Sequence, residues 1–133
     1  MTITVQRTIS MGHRLPSYPG ICSSPHGHNV VVEVEVYADD FLDFKEVDQV
    51  LLSIIQDFDH AMVLWDNDPL GEYLLGAGFR VVLLSHEPTT ENIASYIFEQ
   101  MLRSYSQLVC VTVHETAKYS ATARGAAHVT RRQ

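Results

Sequence analysis

The segment from His28 to Val36 most constrains what this chain can fold into. From Val30 onward every second residue in it is valine, and the residues between are polar or charged apart from Val31. This period of two predicts a β-strand with one buried face. Residues 2–11 alternate in the same way, so two neighbouring strands are expected. Residues 14–25 join them in a loop that contains three prolines and is long for a hairpin.

Parity along the two strands brings three histidines together. His13 continues the odd-numbered apolar face of the first strand, and His26 and His28 continue the even-numbered apolar face of the second. If the strands pair as a hairpin, the three imidazoles converge on one side of the sheet, with the α-carbons of His26 and His28 roughly 6.5 Å apart. Three imidazoles can hold zinc and leave a fourth position open. The pattern therefore predicts a Zn²⁺ site, although nickel, iron and copper accept the same ligands.

Cys22 lies four positions before His26, and two interpretations of it stay open. It could be the fourth ligand of a closed structural zinc site, because the spacing suits a ligand pair. It could instead be a reactive thiol beside an open metal position. A chain of 133 residues with 46% hydrophobic content does not need a metal to fold, which favours the reactive thiol. The dipeptide Asp59–His60 then offers a base with an adjacent carboxylate.

Helix signals flank the middle of the chain. Asp43 and Glu46 form a capping-box pattern ahead of an apolar 3.6-residue repeat, which predicts a helix over about residues 44–57. Thr89, followed by Glu91, predicts the start of a second helix. Residues 66–79 are expected to form a loop with one helical turn.

Further strands are predicted between and after the two helices. Residues 79–84 predict a short extra strand, residues 108–114 a third core strand, and the segment after Gly125 a fourth. Glu115 ends the third strand. If buried, it needs a partner such as a ligand with two adjacent N–H donors, and if exposed it is an ordinary strand-end residue. Residues 1–133 are interpreted as one domain, without a linker or repeat.

Charge is unevenly distributed along the chain. The net charge of −7 argues against general nucleic-acid binding. Residues 1–32 and 116–133 contain no acid and carry +2 and +4, whereas residues 33–115 carry −13. If the ends meet, they form a positive zone suited to an anionic small molecule, although basic termini also arise by chance. Two cysteines and no long apolar run favour a cytoplasmic protein that does not bind membranes.

Taken in order, these residues resemble the 6-pyruvoyl-tetrahydropterin synthase and 6-carboxy-tetrahydropterin synthase family. The resemblance spans nearly the whole chain and rests on residues 10–16, 22 with 26–29, 43–44, 59–60, 88–92 and 114–116. It implies an α+β tunnelling fold, or T-fold. In that fold an antiparallel four-stranded sheet has two helices packed on one face, here with a small insertion between the helices. It also implies trimers that stack as a homohexamer, with active sites between subunits.

The resemblance also implies roles for individual residues. The zinc ligands would be His13, His26 and His28. The catalytic relay would be Cys22, Asp59 and His60. The pterin anchor would be Glu115, and Thr89 and Thr90 would help to line the pterin pocket. Arg14 is a candidate contact for the substrate triphosphate.

The position of Cys22 indicates a branch of this family. Animal-type pyruvoyl synthases place the cysteine six positions before the first histidine of the motif, whereas the carboxy branch of queuosine and 7-deazaguanine biosynthesis places it four before, as here. The implied reaction is that of a zinc-dependent lyase. It converts 7,8-dihydroneopterin triphosphate to 6-carboxy-5,6,7,8-tetrahydropterin, with release of acetaldehyde and triphosphate.

Several alternatives remain beside this reaction. They are a pyruvoyl-type synthase, a dihydroneopterin aldolase-like member, and a non-enzymatic module that binds pterin or metal. The chain departs from the family pattern in two places. Met11 and Gly12 replace the small pair usual before the first histidine, and residues 66–86 are longer than in the enterobacterial enzymes.

Overall fold

The structure, a computed structural model, describes residues 1–125. Six strands form one sheet: β1 Thr2–His13, β2 His26–Tyr37, β3 Ala61–Trp65, β4 Val81–Leu84, β5 Leu108–His114 and β6 Ser120–Arg124. The α-helices of this part of the chain are α1 Phe44–Ile55, α2 Pro69–Gly76 and α3 Thr90–Leu102. The strands lie side by side in the order β4-β3-β1-β2-β5-β6.

β1 and β2 form the antiparallel ladder that their alternation predicts. The register runs without interruption from Thr2 opposite Tyr37 to His13 opposite His26. Because no bulge intervenes, the odd residues of β1 and the even residues of β2 share one face. Val32 and Val34 on that face have 0% exposure.

The helices α1 and α3 cover this face, as the two-helix prediction requires. Their buried residues, among them Leu51 and Ile97, belong to one cluster with the valines of β2. Both helices begin at the predicted caps. The Asp43 side chain accepts a hydrogen bond from the Lys45 amide, and the Thr89 side chain accepts one from the Asn92 amide.

The predicted four-stranded antiparallel sheet is wrong, because the sheet has six strands and is mixed. β3 was not predicted. It pairs in parallel with the end of β1, His13 lying opposite Val63, and in parallel with β4. Its sequence is a five-residue apolar run without alternation, since both Val63 and Leu64 are buried.

A third helix, α2, takes the place of the predicted single turn in the insertion. Its Gly71 lies against Leu64 and Leu83, and a β-carbon at Gly71 would meet the Leu83 side chain at 2.9 Å. Val63 precedes Leu64 in β3 and Leu84 follows Leu83 in β4, so Leu64 and Leu83 face the other side of the sheet from Val63 and Leu84. Val63 and Leu84 belong to the core cluster that α1 and α3 cover. The insertion therefore places α2 on the sheet face opposite the other two helices.

The last described strand, β6, precedes Gly125 and pairs with β5. A strand was predicted after Gly125, and that segment lies outside the described residues. β6 gives a weak sequence signal because its half-buried positions are the small residues Ala121 and Ala123. None of the helices within residues 1–125 has the length and apolar character needed to span a membrane.

Candidate metal centre and active site

The ladder register brings three imidazoles to one end of the β1–β2 pair. His13 lies opposite His26, and His28 lies opposite Met11. The ring centroids are 4.6, 5.2 and 5.1 Å apart in pairs. Their possible ligand nitrogens all lie within 4.8 Å of one another. The convergence of the three imidazoles that strand parity predicts is confirmed.

The hydrogen bonds of these rings leave nitrogen lone pairs free to bind a metal. Nδ1 of His13 lies 2.8 Å from the Pro88 carbonyl oxygen, and Nδ1 of His26 lies 2.7 Å from that of Ser24. A carbonyl oxygen only accepts, so each Nδ1 carries the proton and each Nε2 keeps its lone pair. Histidines that ligate metals usually donate their other N–H in this way.

Two of the three histidines have an Nε2 atom without a hydrogen-bond partner within the described part of the chain. Nε2 of His13 and Nε2 of His28 are buried and make no hydrogen bond among residues 1–125. Burial is also the main reason that the pKa of His13 is lowered, which favours the neutral form that a metal requires. The donor set and its unpartnered nitrogens therefore fit a zinc ion with three nitrogen ligands.

Glu115 faces the same point from β5's end. Its Oε1 lies 3.6 Å from Nε2 of His13 and 3.6 Å from Nε2 of His28. The Thr90 hydroxyl donates a hydrogen bond to this oxygen at 3.1 Å. The Glu115 side chain is 28% exposed. The carboxylate is thus directed into the site, unlike that of an ordinary strand-end residue.

Seven of the ten predicted site residues line one cavity of about 860 Å³. They are His13, Cys22, His26, His28, Thr89, Thr90 and Glu115. The cavity also receives the first turn of α3, because Thr89 is its N-cap. A helix N-terminus favours negative charge, which suits a ligand that carries anionic groups.

Cys22 lies in the wall of this cavity and outside the metal cluster. The close group of possible ligands in residues 1–125 contains three histidines and no cysteine. The thiol is exposed on a short 3₁₀ turn, Ile21–Ser23. The amide of Leu15 donates to the Cys22 carbonyl at 2.8 Å, which closes the loop. This geometry supports the open site with a neighbouring thiol over the closed site.

Asp59 and His60 do not reach that cavity within one chain. Oδ1 of Asp59 accepts from the Ser10 amide at 2.9 Å, and the His60 amide donates to the Ser10 carbonyl at 2.6 Å. His60 has a φ of 58° and a side chain that is 78% exposed. It lines a second cavity of about 750 Å³, beside Gly12 and Gly27, which neither Cys22 nor Glu115 lines.

Arg14 also lies apart from the predicted substrate pocket. Its guanidinium forms a bidentate ion pair with Asp68, so the triphosphate contact predicted for it finds no support within one chain. Arg7 pairs with Asp48 at 2.7 Å. The two cations of residues 1–32 therefore both have acidic partners. Part of the other acid-free segment, residues 116–133, lies outside the described residues, so the positive zone stays a prediction. Asp68 was not among the predicted site residues, although an Asp followed by Pro69 is a typical helix start.

Comparison with known proteins matches the chain to a described family and to named relatives. The family model described as 6-pyruvoyl tetrahydropterin synthase matches residues 2–126. The chain is 36% identical over 120 residues to a probable 6-carboxy-5,6,7,8-tetrahydropterin synthase of Halobacterium salinarum, which covers 85% of this chain and 79% of that protein. It is 28% identical over 95 residues to the 6-carboxy-5,6,7,8-tetrahydropterin synthase of Rickettsia felis, which covers 65% and 69%.

Solved structures share the architecture at lower identity. The 6-pyruvoyl tetrahydropterin synthase of Caenorhabditis elegans superposes with a TM-score of 0.71 at 24% identity, over 95% of this chain and 96% of that one. An uncharacterised protein of Wolinella succinogenes gives 0.75 at 20% identity, over 94% and 99%. These likenesses establish an α+β fold of the tunnelling type. Because the family model matches almost the full length, the chain belongs to the 6-pyruvoyl tetrahydropterin synthase family.

Proposed function

We propose that the protein is a zinc-dependent 6-carboxy-5,6,7,8-tetrahydropterin synthase. In this reaction 7,8-dihydroneopterin triphosphate and water give 6-carboxy-5,6,7,8-tetrahydropterin, acetaldehyde and triphosphate, for queuosine or 7-deazaguanine synthesis. The observation that carries the proposal is the convergence of three imidazoles, Glu115 and Cys22 on one cavity. The name of the Halobacterium salinarum relative supports the same branch.

The three histidines would hold the zinc ion through Nε2 in a fixed geometry. The carbonyl groups of Pro88 and Ser24 orient His13 and His26 by accepting their Nδ1 protons. A zinc ion bound here would supply Lewis acidity toward substrate oxygen atoms. The chain itself contributes the cavity that orients the substrate beside this position.

Glu115 would orient the pterin ring in the cavity. A 2-aminopyrimidinone edge presents two adjacent N–H donors, and a carboxylate accepts both. The Thr90 hydroxyl donates to Oε1 and holds the Glu115 side chain toward the cavity. The Thr89 hydroxyl accepts a hydrogen bond from the Asn92 amide, so it would contribute wall surface and one O–H donor to the pocket.

Cys22 would transfer a proton at the substrate side chain, and its spacing from His26 matches the carboxy branch. Asp59 and His60 would complete the relay from a neighbouring subunit, because neither lines the cavity that Cys22 lines in their own chain. The exposed imidazole of His60 is available for such a contact. The proposed assembly is a homohexamer of two trimers.

The experiment is incubation of the zinc-loaded protein with 7,8-dihydroneopterin triphosphate, followed by mass spectrometry of the products. Release of acetaldehyde with the 6-carboxy product is the expected result. Triphosphate loss without acetaldehyde would indicate the pyruvoyl-type reaction. Side-chain cleavage of unphosphorylated dihydroneopterin would indicate an aldolase, and pterin binding without turnover a binding module.

Cysteine variants test the relay. Cys22→Ala is expected to lose turnover and keep stoichiometric zinc, because Cys22 is not among the close metal ligands. Cys110→Ala is the matched control. The Cys110 thiol is buried, contacts Glu35 at 3.3 Å and does not line the cavity that Cys22 lines. Burial raises its pKa to about 11, which favours the protonated form at neutral pH. Full turnover by Cys22→Ala would contradict the relay.

A further inference from the structure

Arg14 and Asp68 form an ion pair that the proposed reaction does not use. Nε of Arg14 donates to Oδ2 of Asp68 at 2.7 Å, and Nη2 donates to Oδ1. The Asp68 side chain has 0% exposure and that of Arg14 has 24%. A bidentate contact fixes the relative orientation of the two groups as well as their separation. A carboxylate buried to this degree holds its place through its partners.

Asp68 is itself fixed to two elements of the insertion. It is the N-cap of α2, and its Oδ1 also accepts a hydrogen bond from the Leu70 amide at 3.0 Å. Its own amide donates to the Trp65 carbonyl at 2.9 Å. The carboxylate therefore stands on the rigid junction between the end of β3 and the start of α2.

Arg14 lies at the junction between the metal-binding strand and the loop that carries Cys22. It directly follows His13, and its other neighbour Leu15 donates an amide hydrogen bond to the Cys22 carbonyl. Arg14 is the first residue after β1, so an ion pair that holds its side chain on Asp68 restrains the backbone from which the His13 side chain projects into the cavity. A rotation of the backbone at Arg14 would change the direction of the His13 imidazole.

We propose that the Arg14–Asp68 ion pair is a positioning device for the metal centre. It fixes the direction of His13 and the start of the Cys22 loop from the opposite face of the sheet. The proposal rests on the metal site of the proposed function and gives the insertion a role in that site. Arg14 and Asp68 touch neither metal nor substrate and act through His13, so they are positioning residues.

The test is Asp68→Asn, because asparagine keeps the shape and the oxygen that caps α2 but removes the negative charge. Asp48→Asn is the matched control. Asp48 pairs with Arg7 on the same strand at 2.7 and 2.9 Å, but those side chains are 33% and 35% exposed. The two substitutions break the same kind of contact at different depths and at different distances from His13.

The measurements are the zinc dissociation constant, by competition with a chromophoric chelator, and the visible spectrum of the protein loaded with Co²⁺. Asp68→Asn is expected to weaken zinc binding at least about tenfold and to change the Co²⁺ spectrum, because substitutions of residues that orient a metal ligand have such effects. Asp48→Asn is expected to stay within about twofold of wild type with an unchanged spectrum, because an exposed pair contributes little.

The results separate this proposal from the metal site itself. Wild-type zinc affinity and an unchanged Co²⁺ spectrum in folded Asp68→Asn would overturn the positioning role alone. Failure of the wild-type protein to bind zinc would overturn both proposals. If Asp68→Asn does not fold, Arg14→Lys, which keeps the charge and loses the bidentate contact, is measured in the same way. An unchanged spectrum in that variant would overturn the positioning role.

Discussion

Zinc is expected to raise the melting temperature of the metal-free protein by about 15 °C. The structure gives the reason, because Nε2 of His13 and of His28 are buried without hydrogen-bond partners among the described residues. Each such atom costs about 1–3 kcal/mol in the folded state. A bound metal ion removes this cost, whereas the unfolded chain does not hold the three imidazoles together.

The size of the shift follows from linkage. A ligand present at a thousand times its dissociation constant stabilises the folded state by about 4.1 kcal/mol. A chain of 133 residues has an unfolding entropy of about 0.28 kcal/mol/K, so each kcal/mol corresponds to about 3.6 °C. The assay is differential scanning fluorimetry of chelator-treated protein, with and without zinc, at one protein concentration.

Two histidine variants make this test specific to the site. His28→Ala removes one ligand together with one unpartnered nitrogen, so its metal-free melting temperature is expected to stay near that of wild type while its response to zinc falls. His86→Ala, an exposed histidine outside the cluster, is expected to keep the full response. An equal zinc-induced shift in His28→Ala and wild type would refute the assigned ligand set.

Gly27→Ala is expected to destabilise the protein by about 1–3 kcal/mol in urea unfolding and to weaken zinc binding, because its β-carbon would lie 3.1 Å from the Met11 carbonyl oxygen across the ladder. Gly76→Ala is the control, because nothing lies within 4 Å of a β-carbon at Gly76, and it is expected to leave the stability unchanged or raise it slightly. Equal effects of Gly27→Ala and Gly76→Ala on the unfolding free energy would contradict the packing explanation. The hydrogen bonds from Arg14 hold the pKa of Asp68 below its ordinary value. They therefore stabilise the folded state fully above about pH 3.9, the ordinary value for an unfolded chain. This stabilisation is lost as the pH falls through the lower pKa of Asp68 in the folded state. The difference in unfolding free energy between wild type and Asp68→Asn should therefore shrink below about pH 4 in urea titrations at several pH values, and a constant difference would contradict this assignment.

The metal cluster could be predicted from the sequence because strand parity determines which side chains meet. His13 and His28 continue apolar faces whose alternation is unambiguous, and the uninterrupted register converts this into proximity. The caps Asp43 and Thr89 were equally readable, because a short polar side chain before an apolar repeat indicates a helix start. Strand alternation and helix caps are both patterns of residues that lie close together in the sequence.

The missed features depend on distant residues or weak local signals. β3 is short, buried on both faces and lacks alternation, so its parallel pairing with β1 left no mark in the sequence. The partner of Arg14 lies 54 residues away, and only the fold shows that its guanidinium faces Asp68. The separation of His60 from Cys22 likewise follows from the different cavities that the two residues line and not from any motif.

The pairing of β1 also has a consequence for motion. Within residues 1–125, this strand has a neighbouring strand on both edges only over its last residues, Met11–His13. Amide protons there should exchange with solvent only when the sheet opens as a unit, whereas those of a strand with a free edge exchange through local fraying. We therefore expect slow amide exchange at His13 and faster exchange at Cys22, which lies on an exposed turn outside the sheet. The metal ligand and the neighbouring thiol would then differ in the rate at which their backbone opens.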